Sequence, residues 1–317
     1  MKLTRRGTIL GGMALAFAPG MSGAQSGILG GSAFGSTWRL VCETSNPAAA
    51  VSLIENRIAA IDGAMSPYRA SSTLSRFNRA EVDHPVNLPD PMARVADAAL
   101  RVSRDTGGAF DPTAGPLVSR FGYGPITGQP GRVADLDLRG TSLRKAASGL
   151  TLDLCGIAKG FALDCLFEDL IAEGMADFFL ELGGEVRAAG THPSGRPWHV
   201  AIEDPLAPHF TAHTIVAPGQ LALATSGHGP NGLRGAIEVS HVIDPRTARP
   251  ATGDVASVSV LAATGMQADA MATALLAMGN DGPGFARQND ISALFIPGTL
   301  GTESPLTTGQ FSDHIIA

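Results

Sequence analysis

Asp269 and Thr273 stand four residues apart in Ala268-Asp-Ala-Met-Ala-Thr273. On a helix that spacing puts both side-chain oxygens on one face, with Ala270, Ala274 and Leu275 packing beside them. Two hard oxygens on a rigid element suit Mg²⁺, which takes few protein ligands and completes its octahedron with phosphate and water. The same pair also fits an Asp favoured by a helix N-terminus and a Thr bonded back to its own helix. Leu152-Asp-Leu-Cys-Gly-Ile-Ala-Lys-Gly160 reads as an apolar strand end passing through Gly156 into a helix start, with Asp153 and Lys159 nearby. Backbone amides at such a turn can meet a phosphate, and a Lys can supply charge. The spacing is neither that of a P-loop nor that of a G-x-G-x-x-G turn.

Three further stretches carry reactive side chains. Gly107-Gly-Ala-Phe-Asp-Pro-Thr-Ala-Gly-Pro116 is a loop stiffened by glycines and prolines that holds Asp111 and Thr113, and it also reads as a plain helix-to-strand turn. Ser240-His-Val-Ile-Asp-Pro-Arg-Thr247 places His241 and Asp244 on a strand entering a turn; His241 there is either a base or a packed structural histidine. Leu223-Ala-Thr-Ser-Gly-His228 offers hydroxyls and a glycine turn.

The periodicity of the chain shows what must position these groups. Ser36 to Cys42 alternates as an early strand after a Gly-rich lead-in, and Asn46-Pro47 opens a helix with Val51, Ile54, Ile58 and Ile61 on one face. A second helix runs from about Pro91 to Asp105 on a stripe of Met92, Val95, Ala99 and Val102, ended by Gly107-Gly108. Residues 120 to 150 show no period and read as a loop-rich excursion. A third helix spans Gly156 to Gly174, burying Ile157, Phe161, Leu166 and Leu170. Strands follow at Phe178–Leu182, Trp198–Ile202, Gln220–Ala224, Ala236–Val239 and Val255–Leu261, then a helix over Gln267–Met278 capped by Gly279, and Ile291–Ile296 closes the chain as a final strand. Strands and helices do not alternate strictly, so the expected class is α+β with mixed sheets rather than a doubly wound parallel sheet.

With 317 residues, 44% hydrophobic and 16% charged, the chain can bury a large core and is not a disordered scaffold. The 39 Gly and 21 Pro imply many tight turns without a collagen period. A net charge of −6 and the lack of Lys and Arg clusters argue against a nucleic-acid surface. Residues 1–24 form a separate unit: Lys2, Arg5 and Arg6 precede the apolar run Ile9–Ala18, too short to span a bilayer, and a small-residue Ser22-Gly-Ala24 site follows. Arg5-Arg6 after Thr4 resembles a twin-arginine export leader, and an ordinary secretory leader is the alternative. The expectation is a periplasmic protein with residues 25–317 as one domain and no membrane anchor, because no Cys follows the leader closely. The three cysteines, Cys42, Cys155 and Cys165, do not make a disulfide framework and read as small packed apolar residues.

In order along the chain, seven blocks resemble the ApbE family of flavin transferases: Met65-Ser-Pro-Tyr-Arg-Ala-Ser-Ser-Thr-Leu-Ser-Arg-Phe-Asn78, Gly108–Thr113, Asp153–Gly160, Glu181-Leu-Gly-Gly184, Thr225-Ser-Gly227, His241–Thr247 and Ala268–Thr273. The resemblance runs from about Gly35 to Gly279. It implies an α+β body of mixed sheets flanked by helices, with a nucleotide cleft between sub-lobes. It implies an enzyme that binds FAD with Mg²⁺ on its pyrophosphate, transfers FMN to a Thr or Ser hydroxyl of another protein and releases AMP. Under that resemblance Phe34, Tyr68, Ala109, Phe110, Asp111, Asp153 and Lys159 bind FAD. Asp269 and Thr273 ligate the metal with the Gly156 carbonyl, and His241 is the base for the acceptor hydroxyl.

The chain departs from the family pattern at four points. Phe34-Gly35-Ser36 stands for a usual Met-Gly-Thr, Cys155 for a small residue, Ala248 for a glycine, and His228-Gly229 for a usual Asp-Tyr after Thr-Ser-Gly. A Mg²⁺-dependent FAD pyrophosphatase and a non-catalytic periplasmic flavin carrier are the alternative functions. The leader is also similar to that of the NosX branch, which implies as acceptor a flavoprotein of a membrane electron-transport system, NosR; a general periplasmic role in electron-transport complexes is the alternative.

Overall fold

The computed structural model describes residues 27–207, 209–228, 240–251, 254–298 and 304–316. The leader and the strand expected at Ala236–Val239 lie outside the described residues. Strand β1 (Gly27–Ala33) turns through Phe34-Gly35 into β2 (Ser36–Cys42). Helix α1 (Pro47–Met65) is started by Asn46, whose side chain accepts the Ala49 N–H at 3.2 Å. Then come α2 (Thr73–Arg79), β3 (Val86–Asn87), α3 (Asp90–Asp105), α4 (Gly115–Arg120), β4 (Leu136–Arg139), β5 (Ser142–Lys145) and α5 (Ala158–Ala172). A strand-rich half follows: β6 (Phe178–Leu182), β7 (Glu185–Ala189), β8 (Val200–Glu203), β9 (Ala212–Val216), β10 (Ala222–Gly227), β11 (Ile243–Asp244), β12 (Arg249–Pro250) and β13 (Val255–Ala262). Helices α6 (Gly265–Met278) and α7 (Gly282–Gln288) and strands β14 (Ser292–Pro297) and β15 (Leu306–Thr308) complete the described order.

Eight strands form one sheet in the order β1-β2-β6-β7-β10-β13-β14-β15, and every pairing in it is antiparallel. The α+β expectation holds. Apolar side chains from the sheet pack into cores on both of its faces. In β6, Phe178, Leu180 and Leu182 face a core built with α1, α3 and α5, while Phe179 faces a second core with Trp198, Val200, Ile202 and Val216 from the β8–β9 hairpin. A third core joins α6 to β10, β13 and β14 through Ala272, Leu275, Leu276, Val258, Val260 and Phe295.

Several expectations need correcting. The stretch 120–150 is not only loop: β4 and β5 form a hairpin through Gly140 at φ +60° and add β3 to make a three-stranded sheet. The two hairpin strands are four residues long and heavily charged, which hides the alternation. Leu152–Leu154 is irregular chain rather than a strand end, because its polar groups are used locally and by Asn78, which accepts the Leu152 N–H at 2.7 Å and donates to its carbonyl at 2.9 Å. β14 is not the last strand, since β15 pairs with it beyond. Strands β1, β7 and β9 and helix α2 carry too few apolar residues in a clean period to be read from sequence.

The closest helix contact in the body sets up the site. A Cβ on Gly160 would come within 2.1 Å of the Gly265 carbonyl oxygen and 2.7 Å of the Asp269 Cβ, so α5 and α6 touch backbone to backbone there. Gly160→Ala should force the helices apart at a cost of about 1–3 kcal/mol. Chemical denaturation of the purified variant measures it, and unchanged stability would show that the contact is not tight.

Candidate functional site

Helix α6 is the shared wall of two cores: Ala270 and Ala274 pack into the core of α1, α3 and α5, while Ala268, Ala272, Leu275 and Leu276 pack into that of β10, β13 and β14. Asp269 and Thr273 lie on the seam between them. Asp269 is buried, and its Oδ2 accepts the Gly160 N–H at 2.9 Å, one of the amides left without a partner at the start of α5. Burial pushes its carboxyl up, while the Lys159 ammonium and the Gly160 amide pull it down. A Cβ on Gly156 would lie 3.2 Å from the Thr273 hydroxyl and 3.2 Å from the Phe110 ring, so Gly156 abuts Thr273. Thr273 also lies 3.4 Å from the Ser226 hydroxyl.

The fit to Mg²⁺ rests on donor chemistry. Among the described residues no three His, Cys, Asp or Glu side chains gather as a metal cluster. One carboxylate, one hydroxyl and a neighbouring backbone carbonyl are all hard oxygens. They fit an ion that draws most of its remaining ligands from phosphate and water.

Lys159 projects from the first turn of α5 into the turn between β6 and β7. Its ammonium pairs with Glu185 and reaches the Gly183 carbonyl at 3.3 Å. Desolvation works to lower its pKa, but Glu185 and Asp269 outweigh that and raise it, so Lys159 stays charged. Glu185 is only 2% exposed, burial pushes it up to about 8 against the pull of Lys159, and its Oε2 has no partner among the described residues. Glu181 holds the same turn by accepting the Gly184 N–H at 2.8 Å. A Cβ on Gly183 would meet Lys159 Cδ at 3.3 Å and Ser36 Cβ at 3.5 Å, which places the β1–β2 turn beside the lysine. In that turn Phe34 takes φ +49°, a left-handed conformation costly for a bulky side chain.

The loop after α3 straddles both cores, with Ala109 in one and Phe110 in the other. Asp111 is partly spent on the loop itself: its Oδ1 accepts the Thr113 N–H and hydroxyl, each at 2.7 Å. Burial raises its pKa and these bonds oppose the rise. The Asp153 N–H donates to the Pro112 carbonyl at 2.7 Å, tying this loop to the one before α5. Asp153 in turn accepts the Cys155 N–H at 2.9 Å, and burial raises its pKa. Tyr68 is 73% exposed. Desolvation at its hydroxyl end, and then Cys155 and Asp153, push its pKa up, which sets it at the rim of the same group.

Cys155 does not pack as a small apolar residue. It is solvent-exposed in this cluster, and desolvation followed by Asp153 holds its thiol well above the usual value, so it is not a ready thiolate. Cys42 is buried as expected, and all three cysteines are free.

His241 lies in a bend ahead of β11 rather than within a strand. Its ring meets Tyr123 edge-on with centroids 6.0 Å apart, and its buried Nδ1 has no hydrogen-bond partner among the described residues. Burial lowers its pKa, and His228 and Lys159 lower it further, so the ring favours the neutral form a base needs. Asp244 does not orient it, because that carboxylate is occupied by Arg246 Nε at 2.9 Å, Arg246 Nη2 at 3.1 Å and the Arg246 N–H at 3.0 Å.

The structure therefore gathers Gly156, Lys159, Asp269, Thr273, Phe110, Asp153 and Tyr68, with His241 near enough to feel Lys159 and Phe34 in the turn beside it. Glu185 was missed one residue beyond the Glu181–Gly184 block; only its place after a double glycine could have marked it. Tyr123 gave no sequence signal, whereas Ser226 lies in the hydroxyl-bearing Thr225-Ser-Gly227 block. A separate crevice lined by Cys42, Asp177, His192 and Trp198 contains none of these residues.

Proteins of known activity are similar to this chain in sequence and fold. A curated FAD:protein FMN transferase of Vibrio cholerae is 35% identical over 263 residues, covering 77% of this chain and 78% of that one. One of Haemophilus influenzae with the same name is 33% identical over 253 residues, covering 72% of each. The solved flavin transferase ApbE from Vibrio cholerae superposes with a TM-score of 0.82 at 31% identity, covering 92% of this chain and 99% of its own. The apo flavinyl transferase ApbE of Pseudomonas stutzeri gives a TM-score of 0.80 at 29% identity, covering 92% and 97%. The ApbE family signature matches residues 34–295, which takes in both loops, α5, His241 and α6, and the chain belongs to the ApbE family.

Proposed function

We propose that this chain is an enzyme that transfers FMN from FAD to a Thr or Ser hydroxyl of an acceptor protein and releases AMP in a Mg²⁺-dependent reaction. The observation that carries this reading is the half-buried, neutral-favouring His241 beside the seam that holds Asp269, Thr273 and Lys159. Family membership and the names of the relatives support it. Phe34, Tyr68, Ala109, Phe110, Asp111, Asp153 and Lys159 hold FAD in this reading, and Asp269, Thr273 and the Gly156 carbonyl hold Mg²⁺. The ion, when bound, neutralises pyrophosphate charge. His241 takes the acceptor's proton as its oxygen bonds to the FMN phosphorus and the phosphorus–oxygen bond to AMP breaks. Attack on a pyrophosphate needs orientation and charge neutralisation more than covalent help, and this is what these side chains offer.

Incubation with FAD and Mg²⁺, with and without an acceptor domain, tests the proposal. In-gel flavin fluorescence on the acceptor with matching AMP release is the expected result. FMN and AMP released without acceptor labelling would make the chain a pyrophosphatase, and retained FAD with no turnover would make it a flavin carrier.

The proposed setting is the periplasm, reached through the Arg5-Arg6 leader. The proposed acceptor is a flavoprotein of a membrane electron-transport system such as NosR. Among the described residues no helix is long and apolar enough to cross a membrane. Replacing Arg5 and Arg6 with Lys should leave precursor in the cytoplasm on fractionation, whereas normal export would remove the twin-arginine route.

A further inference from the structure

His241 lacks the support that usually fixes a working imidazole. A histidine that must present one nitrogen to a reacting group is commonly held by a hydrogen bond on the other. Here Nδ1 of His241 is buried and has no hydrogen-bond partner among the described residues, and the neighbouring Asp244 is committed to Arg246. The ring's direction must then come from the backbone on either side of it and from what packs against it.

That backbone is braced by a second histidine. β10 ends at Gly227 paired with Ser257 of β13, and the His228 N–H carries the ladder one step further by donating to the Ala256 carbonyl at 2.8 Å. The His228 ring turns inward, with Nδ1 2.7 Å from the Ser240 hydroxyl. Ser240 is buried, and its oxygen accepts the Val242 N–H at 3.0 Å. The hydroxyl has one proton to give, and a neutral Nδ1 is the acceptor in reach. Burial lowers the His228 pKa against a smaller opposing pull from the Val255 carbonyl, which favours the neutral ring. The chain of contacts from β13 through His228 and Ser240 to Val242 therefore brackets His241 on both sides.

We propose that His228 is a positioning residue for the transfer step, holding His241 in its working orientation through Ser240. The inference rests on the transferase reading above and adds a residue to it. It also gives a use to a position at which the chain departs from the usual family pattern.

Four variants test it: His228→Ala, His228→Asn, Ser240→Ala and the double variant His228→Ala/Ser240→Ala. Each is assayed for kcat, FAD affinity, thermal stability and amide hydrogen exchange at Val242. His228→Ala should lower kcat by about 10–100-fold, the scale of a small misplacement of a reacting group, with FAD affinity within about threefold of wild type. Asn can still accept the Ser240 proton, so His228→Asn should recover most of the loss. The double variant should be no slower than the worse single variant, since both changes break one path. Val242 should lose exchange protection in His228→Ala and Ser240→Ala.

Wild-type kcat in folded His228→Ala would overturn the proposal. So would a loss that follows stability and FAD affinity without rescue by Asn, or additive losses in the double variant. If His228→Ala does not fold, Ser240→Ala decides by the same kcat criterion. If the wild-type protein labels no acceptor, the transferase reading fails; the exchange measurement still reports separately whether the brace exists.

Discussion

His241→Ala protein should bind FAD within about threefold of wild type and lose roughly 10²–10⁴ of its covalent flavin transfer, the usual contribution of a general base. The separation follows from the site: the ring has a buried nitrogen without a partner among the described residues and an edge contact with Tyr123, while the groups proposed to hold FAD lie on other elements. The alternative, a packed histidine, predicts that stability and flavin binding fall together with activity. The pH profile adds a sign. A base works when neutral, so transfer should stay level down through an ordinary histidine pKa of about 6.5 and fall only at lower pH. Burial, with His228 and Lys159, has moved the ring in that direction. Linkage has the same direction: the unfolded chain takes up the proton first, so His241's share of stability is full above about 6.5 and is lost as pH falls toward the folded value.

Asp269→Asn should have an effect of comparable size by a different route. Asn keeps a carbonyl oxygen to accept the Gly160 N–H, so the start of α5 stays capped, but the charged oxygen offered to Mg²⁺ is gone. Metal polarisation is worth several kcal/mol, so transfer at ordinary Mg²⁺ should fall by about 10²-fold or more while thermal stability holds. Asp269→Ala should show the same catalytic loss and, in addition, cost about 1–3 kcal/mol for the orphaned amide. Turnover at the wild-type rate in Asp269→Asn, measured across a Mg²⁺ titration, would remove Asp269 from the ligand set.

How far the sequence carried this picture depended on period and spacing. The helices with strong apolar stripes were placed to within a few residues: α1, with Ile54, Ile58 and Ile61 buried, and α3, with Met92, Val95 and Ala99 buried. β13 was visible because its β-branched valines recur at every second or third position through Val255-Ala-Ser-Val-Ser-Val-Leu261, a short run interrupted only by two small serines. The β4–β5 hairpin was not visible, because Asp137, Arg139 and Arg144 spend its exposed positions on surface ion pairs and leave too few apolar residues to alternate. Asp269 and Thr273 were legible from their four-residue spacing on a helix, but their role as a seam between two cores was not. The direct Gly160–Gly265 contact that brings Asp269 to the start of α5 joins residues more than a hundred positions apart. Glu185 and Tyr123 enter the site through contacts with Lys159 and His241 that are distant in sequence, which local pattern does not encode.

The central claim is that a protein hydroxyl, rather than water, receives the FMN. Intact-mass spectrometry of an acceptor domain after incubation with the wild-type enzyme, FAD and Mg²⁺ tests it most directly, with fragmentation to locate the adduct. The account predicts a gain of one FMN less water on a single Thr or Ser, matched by AMP in solution and absent when that residue is Ala. An acceptor of unchanged mass beside free FMN and AMP would contradict it.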